Sequence, residues 1–195
     1  MAMSRMFVAV VPPLPVKEDL AEFLQPRAEH PWIDADQWHV TLAFLADVQD
    51  ARLDDLIDGL TAAGAKRKPF GLQLSGAGAF PDPSRAKVLW MDPTGMPGDL
   101  AELDRLAANT RAAAAHSGAA PDGRTFRRHL SVSRLSRPSQ QMRWVQVLDT
   151  YRGPCWQVED FELIRSYLGE GPHGRPRYET VGTFPLGVSG PAAQT

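Results

Sequence analysis

Two β-prone runs carry the same unusual pattern, and they constrain the fold more than any other feature of the chain. Trp38 to Phe44 reads Trp-His-Val-Thr-Leu-Ala-Phe, and Phe126 to Arg134 reads Phe-Arg-Arg-His-Leu-Ser-Val-Ser-Arg. Each places a histidine two positions before a hydroxyl residue in an otherwise largely apolar run. Alternate side chains of a strand share a face, so His39 and Thr41 point one way and Val40, Leu42 and Phe44 the other. The same rule groups His129 with Ser131 and Ser133 and sends Leu130 and Val132 to the core. A buried strand has little use for an imidazole, so both histidines are expected on the face away from the core.

The elements around these runs repeat in order. Phe7 and Val8 to Val11 predict a strand stopped by Pro12-Pro13. Val16, Leu20, Phe23 and Leu24 then recur at helical spacing up to Pro26. After the His39 strand, Leu53, Leu56, Ile57 and Leu60 predict a helix ending near Gly64, and Phe70, Leu72 and Leu74 a strand running into a Gly/Pro-rich loop through Pro83. The second half begins with a strand at Lys87 to Met91. A helix follows, capped by Asp99 and buried through Leu100, Leu103 and Leu106. The His129 strand is followed by a helix around Gln140 to Asp149, with Met142, Val145 and Leu148 inward. Strands at Phe161 to Leu168 and Tyr178 to Phe184 precede a tail, 186–195, expected to fray. The economical architecture is α+β: one domain over 1–190, in two pseudo-twofold-related lobes with antiparallel or mixed sheets flanked by helices. The repeat halves span about 4–80 and 86–185, and a cleft lies between the lobes.

At 195 residues with 43% hydrophobic content, the chain can bury a core of its own. Its single cysteine, Cys155, rules out an internal disulfide and a multi-cysteine zinc cluster, and is read as a small buried side chain. The apolar run near the N-terminus is too short for a signal peptide or a membrane span, so a cytoplasmic, monomeric protein is expected. A formal net charge of −2 excludes a protein that coats nucleic acid through a global basic field. Positive charge is local instead: arginines 124, 127, 128, 134 and 137 fall around the second motif with no acid among them. Strict alternation puts Arg134 on the face opposite His129, so its entry into the cleft requires a bulge or the end of the strand.

Two imidazoles and two hydroxyls around one small volume suit phosphoryl chemistry without a metal. One imidazole takes a proton from water, the other donates one to the departing oxygen, and the hydroxyls hydrogen-bond the phosphate. The competing readings are cross-strand polar pairs and a divalent-metal site. Neither motif places a carboxylate on the histidine's own face, which disfavours the metal. His30, His116 and His173 are read as solvent-facing.

His39-Val-Thr-Leu-Ala-Phe-Leu and His129-Leu-Ser-Val-Ser-Arg134 resemble the paired His-x-Thr/Ser motifs of the 2H phosphoesterase superfamily. Within it they are similar to the bacterial and archaeal RNA 2′,3′-cyclic phosphodiesterases, formerly called 2′-5′ RNA ligases. Flanking segments extend the resemblance over most of the chain: Arg5-Met-Phe-Val-Ala-Val, Trp38, Phe80-Pro with Val88-Leu-Trp, Leu163-Ile-Arg-Ser and Arg177-Tyr-Glu. Ser131 stands where threonine is usual, and Ala46 where glycine is common. The resemblance implies hydrolysis of an RNA-terminal 2′,3′-cyclic phosphate to a 2′-phosphomonoester, extending to reverse 2′-5′ joining, with no cofactor or metal. It implies His39 as general acid, His129 as general base, and Thr41, Ser131 and Arg134 as phosphate ligands. Small cyclic nucleotides or an ADP-ribose cyclic phosphate are the alternative substrates, and a non-catalytic RNA-end binder the alternative class.

Overall fold

A computed structural model describes residues 3–187, the side chain of His173 apart. It is an α+β domain built on one eight-stranded antiparallel sheet and four helices. In chain order these are β1 (Met3–Val10), α1 (Leu14–Leu24), β2 (Val40–Gln49), α2 (Leu53–Ala65), β3 (Phe70–Phe80), β4 (Ala86–Thr94), α3 (Pro97–His116), β5 (Leu130–Ser139), α4 (Met142–Leu148), β6 (Arg152–Val158), β7 (Asp160–Tyr167) and β8 (Arg177–Pro185). The strand order is β6-β3-β4-β5-β2-β1-β7-β8, so the two histidine strands meet at the centre.

The order in space is not the order in sequence. β3 leaves the first half of the chain to pair with β4, and β7 returns from the second half to pair with β1. Each four-stranded half of the sheet therefore contains strands from both halves of the chain. β6, absent from the sequence reading, forms the edge beside β3. Its run, Arg-Gly-Pro-Cys-Trp-Gln-Val, holds a glycine and a proline, residues depleted from central strands and tolerated at an edge. Cys155 lies on this edge strand and is exposed, not buried.

The helical stripes pack largely as their spacing dictates. Val16, Leu20 and Leu24 of α1 are buried, as are Leu56 and Leu60 of α2 and Leu103 and Leu106 of α3. Four local expectations fail. Asp99 sits in the first turn of α3 rather than capping it, because Pro97 has already started the helix. Met142, at the first position of the short α4, is exposed, while Leu148 at its other end is buried. The glycine-rich stretch after Leu74 stays in the sheet through Phe80, absorbing an irregularity at Gly76, whose φ of 100° suits glycine. Leu186, assigned to the frayed tail, is buried; the rest of that tail, 188–195, lies outside the described residues. Among the described residues no helix is long and apolar enough to cross a membrane.

Gly64 fixes how α2 docks on β7 and β8. A Cβ there would lie 2.7 Å from the Pro185 carbonyl oxygen and 3.1 Å from the Phe161 ring. Gly64→Ala should therefore destabilise the fold by about 1–3 kcal/mol, the usual range for overpacking, despite alanine's better helix propensity. A denaturant midpoint equal to or above wild type would contradict this packing.

Candidate active site

The two histidine strands barely touch. β2 and β5 pair at one position, Val40 with Leu130, and diverge beyond it. His39 and His129 each precede their paired residue, so both imidazoles stand at the seam. Both also form the same anchor: Nδ1 of His39 lies 2.7 Å from the Gln37 carbonyl, and Nδ1 of His129 lies 2.7 Å from the Arg127 carbonyl. A carbonyl only accepts, so each Nδ1 carries the proton and donates. Nε2 of each ring is left for the cleft as an acceptor in the neutral form and a donor when charged.

Each strand has a bulge three residues after its histidine. On β2, Val8 faces Ala43 and Ala9 faces Thr41, so Leu42 is the extra residue. On β5, Leu89 faces Ser133 and Trp90 faces Ser131, so Val132 is extra. The bulge resets the alternation. Ser131 and Arg134 thus share the cleft face, and Arg134 lines the cleft together with His39 and Ser131. Two assignments from strict alternation are corrected by the same device. Phe44 does not join the core face but packs beside Phe7, Ala9 and Ile164 on the cleft side. Ser133 does not accompany His129: it is fully buried, donating to the Pro31 carbonyl at 3.0 Å and lying 2.9 Å from Nε2 of His30. His30 is accordingly buried, not solvent-facing, and packs against Trp32 and Trp144. His116 is exposed as expected, and the His173 side chain lies outside the described residues.

The divergence beyond the seam exposes backbone groups that need partners. The segment after α1 supplies them on β5, with Ile33 donating to Val132 and Trp32 bridging Ser133. The segment after α3 does so on β2, where Asp122 donates to the Phe44 carbonyl.

The cleft beside His39 has a volume of about 210 Å³ and is lined by Trp32, Gln37, Ser131, Arg134, Arg175 and Tyr178 among others. Phe7 stacks on His39 at 4.5 Å, and Tyr178 meets its edge at 5.7 Å. On the other side the Phe80 and His129 rings meet nearly at right angles, their centroids 5.0 Å apart. Tyr178 and Arg175 were not singled out as site residues in the sequence. They come from β8 and the loop before it, far along the chain, and only the return of β7 beside β1 brings them to His39.

The His39 ring keeps some surface open to the cleft, yet lies deep among protein atoms, and burial pushes its pKa down to about 4. Its anchor to Gln37 opposes that shift, while the positive charge of Arg134 adds to it. Burial also lowers His129, opposed by the Arg127 carbonyl and reinforced by Arg134 and Arg127. The arginine's charge thus acts on both rings, and its side chain lines the cleft beside His39. Of the other arginines in that run, Arg124 pairs with Asp122 and Arg128 with Asp104. Among the described residues no three His, Cys, Asp or Glu side chains converge as metal ligands.

The profile of the 2′-5′ RNA ligase superfamily matches residues 12–170. The chain belongs to that superfamily. It is 32% identical over 192 residues to an RNA 2′,3′-cyclic phosphodiesterase of Escherichia coli, covering 94% of this chain and 97% of the relative. A protein of the same description from Geobacillus stearothermophilus is 27% identical over 195 residues, which is 95% of this chain but 58% of that relative. The chain thus spans little more than half the length of the latter. Among solved structures, E. coli LigT complexed with 3′-AMP superposes with a TM-score of 0.70 at 28% identity, covering 95% of this chain and 99% of that one.

Both imidazoles should be neutral at pH 7 in the free protein. Binding an anion beside them favours the charged form and must raise their pKa values. An NMR titration should place His39 near pH 4 without ligand and move both rings upward with inorganic phosphate. A free-state His39 value at or above 6.5 would contradict the buried placement.

Proposed function

We propose that this chain hydrolyses an RNA-terminal 2′,3′-cyclic phosphate to a 2′-phosphomonoester by two-histidine acid–base catalysis. The observation carrying the reading is the pair of imidazoles at one seam, each held through Nδ1 by the carbonyl two residues back, with Nε2 unbonded among the described residues and Arg134 lining the cleft. Membership of the superfamily and the naming of the E. coli relative support it.

In this mechanism His129 accepts a proton from water as water attacks phosphorus, and His39 donates one to the 3′ oxygen as its bond to phosphorus breaks. Thr41, Ser131 and Arg134 hydrogen-bond the non-bridging oxygens, on which charge accumulates. A 5′-hydroxyl in place of water gives a 2′-5′ diester by the same two transfers, which is the joining reaction. The bound monoanion also answers the low pKa of His39: its charge offsets that of Arg134 and permits an imidazolium there. The profile of kcat/KM reports the free protein and that of kcat the complex, so the kcat/KM optimum should lie on the acid side of the kcat optimum. Coincident profiles would argue against substrate-assisted protonation.

The assay is an RNA oligonucleotide ending in 2′,3′-cyclic phosphate. His39→Ala and His129→Ala should each slow turnover roughly 10²–10⁴-fold, the usual contribution of a positioned acid or base. Thr41→Ala and Ser131→Ala should cost less, since each removes one hydrogen bond, about 1.5–3 kcal/mol when charge-assisted. An activated 3′ leaving group should rescue the His39 variant and not the His129 variant; the opposite result reverses the two roles. Turnover should survive excess EDTA, because the described side chains around the two imidazoles form no ligand set. Loss with chelator, restored by a divalent ion, would defeat this mechanism.

A further inference from the structure

The cleft beside His39 is too small for a strand of RNA. At about 210 Å³ it falls below the roughly 300–1,000 Å³ typical of small-molecule sites. A volume of that order leaves room for little beyond the reacting end, so the remainder of an RNA substrate must lie elsewhere. On the His129 side a separate groove of about 820 Å³ runs between β4 and α3. Its walls include Phe80, Trp90, Asp92, Asp104, Arg111 and Arg127.

Two aromatic rings give this groove a floor. Trp90 pairs directly with Gly78 across β3 and β4, and a Cβ at Gly78 would fall 2.2 Å from the indole ring. The indole therefore lies flat on the glycine, a position available only because that residue has no side chain. Phe80 is 5.4 Å from Trp90 at an interplanar angle of 35°, and on its other side it meets the His129 ring nearly at right angles. An aromatic row thus leads from the His129 imidazole into the groove. Trp90 and Ser131 are cross-strand partners, so the row stands on the face that carries the phosphate-side hydroxyl.

The groove's charges are mostly engaged. Arg111 donates to the carbonyls of Asp122 and Arg124, and Arg128 pairs with Asp104 while facing Asp92. Arg127 has no carboxylate within pairing distance among the described residues, and its guanidinium lies 5.8 Å above the Phe80 ring. Its carbonyl, meanwhile, anchors His129. One residue thus joins the histidine to the groove and leaves a cation beside its floor. Stacking surfaces next to a cation that can follow a phosphodiester backbone are how single strands are held without sequence readout.

From this geometry we infer that the groove seats the single-stranded RNA leading to the cyclised end, its bases stacked on Phe80 and Trp90 and its backbone met by Arg127. The inference rests on the reading of the site as an RNA-end phosphodiesterase and specifies how that site selects polymer over mononucleotide.

The test compares adenosine 2′,3′-cyclic phosphate with a tetra-adenylate ending in 2′,3′-cyclic phosphate, using wild type, Trp90→Leu, Trp90→Phe and Arg127→Ala. Wild type should prefer the tetranucleotide in kcat/KM by about tenfold or more, given the usual worth of base–aromatic stacking. Trp90→Leu should reduce that ratio towards one and Trp90→Phe should retain most of it. A ratio taken on one preparation is insensitive to partial misfolding. Arg127→Ala should lower the slope of log KM against log salt for the tetranucleotide by about 0.7, the value for one single-strand phosphate contact. A wild-type ratio of one, or a ratio unchanged by Trp90→Leu, overturns the groove. Failure of wild type to hydrolyse either substrate overturns the phosphodiesterase reading instead. The groove is then decided by anisotropy of a labelled, uncyclised tetra-adenylate: about tenfold weaker binding to Trp90→Leu supports it, and equal binding overturns it.

Discussion

One backbone pairing, Val40 with Leu130, joins the two halves of the sheet, and the site follows from its being so short. Two central strands paired along their length would bury their facing side chains and leave no cleft. A single paired position holds the halves together and lets them part at once, so residues next to it are close across the seam yet open to solvent. His39 and His129 occupy those positions. The cost is unpaired backbone on two central strands, and the chain meets it twice in the same way, with the segments following α1 and α3.

The bulges complete the arrangement. Without them, alternation would turn Arg134 into the core and Ser133 into the cleft. The extra residue on β5 reverses that, giving a charged residue to the cleft and a small polar one to the interior. The buried serine then needs partners, and His30 and the Pro31 carbonyl provide them. Burial lowers the pKa of His30 and so favours its neutral form, in an interior where an imidazolium would be costly.

What the sequence disclosed and what it concealed divide along physical lines. The helices were legible because their buried stripes repeat every three or four residues, as at Leu56 and Leu60 or Leu103 and Leu106. The histidine motifs were legible because imidazoles are conspicuous in apolar strands. Strand exchange was not legible: Phe70, Leu72 and Leu74 show that β3 has a buried face, and nothing in their spacing says which neighbour it pairs with. The bulges were equally silent, since neither Leu42 nor Val132 differs in type from an ordinary strand residue. Hence Arg134 could be named but not placed, and Phe44, Ser133 and His30 were assigned to the wrong surroundings. Tyr178 and Arg175 depend on pairings between distant parts of the chain, information that local pattern does not carry.

The repeat is symmetrical in backbone and unsymmetrical in chemistry, and that difference gives the site a direction. Phe44 and Arg134 hold equivalent places, five residues after their histidines and just beyond their bulges. Ala43 and Ser133 are likewise equivalent, one packed in an apolar core and the other tied to His30. The β2 side therefore offers aromatic surface, with Phe7 and Tyr178 about His39, while the β5 side brings the guanidinium of Arg134 into the cleft. An anion entering a two-fold-symmetric pocket of two imidazoles would have two equivalent orientations. Here Arg134 lies on the β5 side, and the deeper desolvation, expressed in the lowered pKa of His39, lies on the β2 side. The same backbone geometry can thus present two histidines in like poses while their surroundings push their proton affinities apart; in the free protein His39 is the harder of the two to protonate, so the acid role proposed for it depends on the negative charge of the bound phosphate.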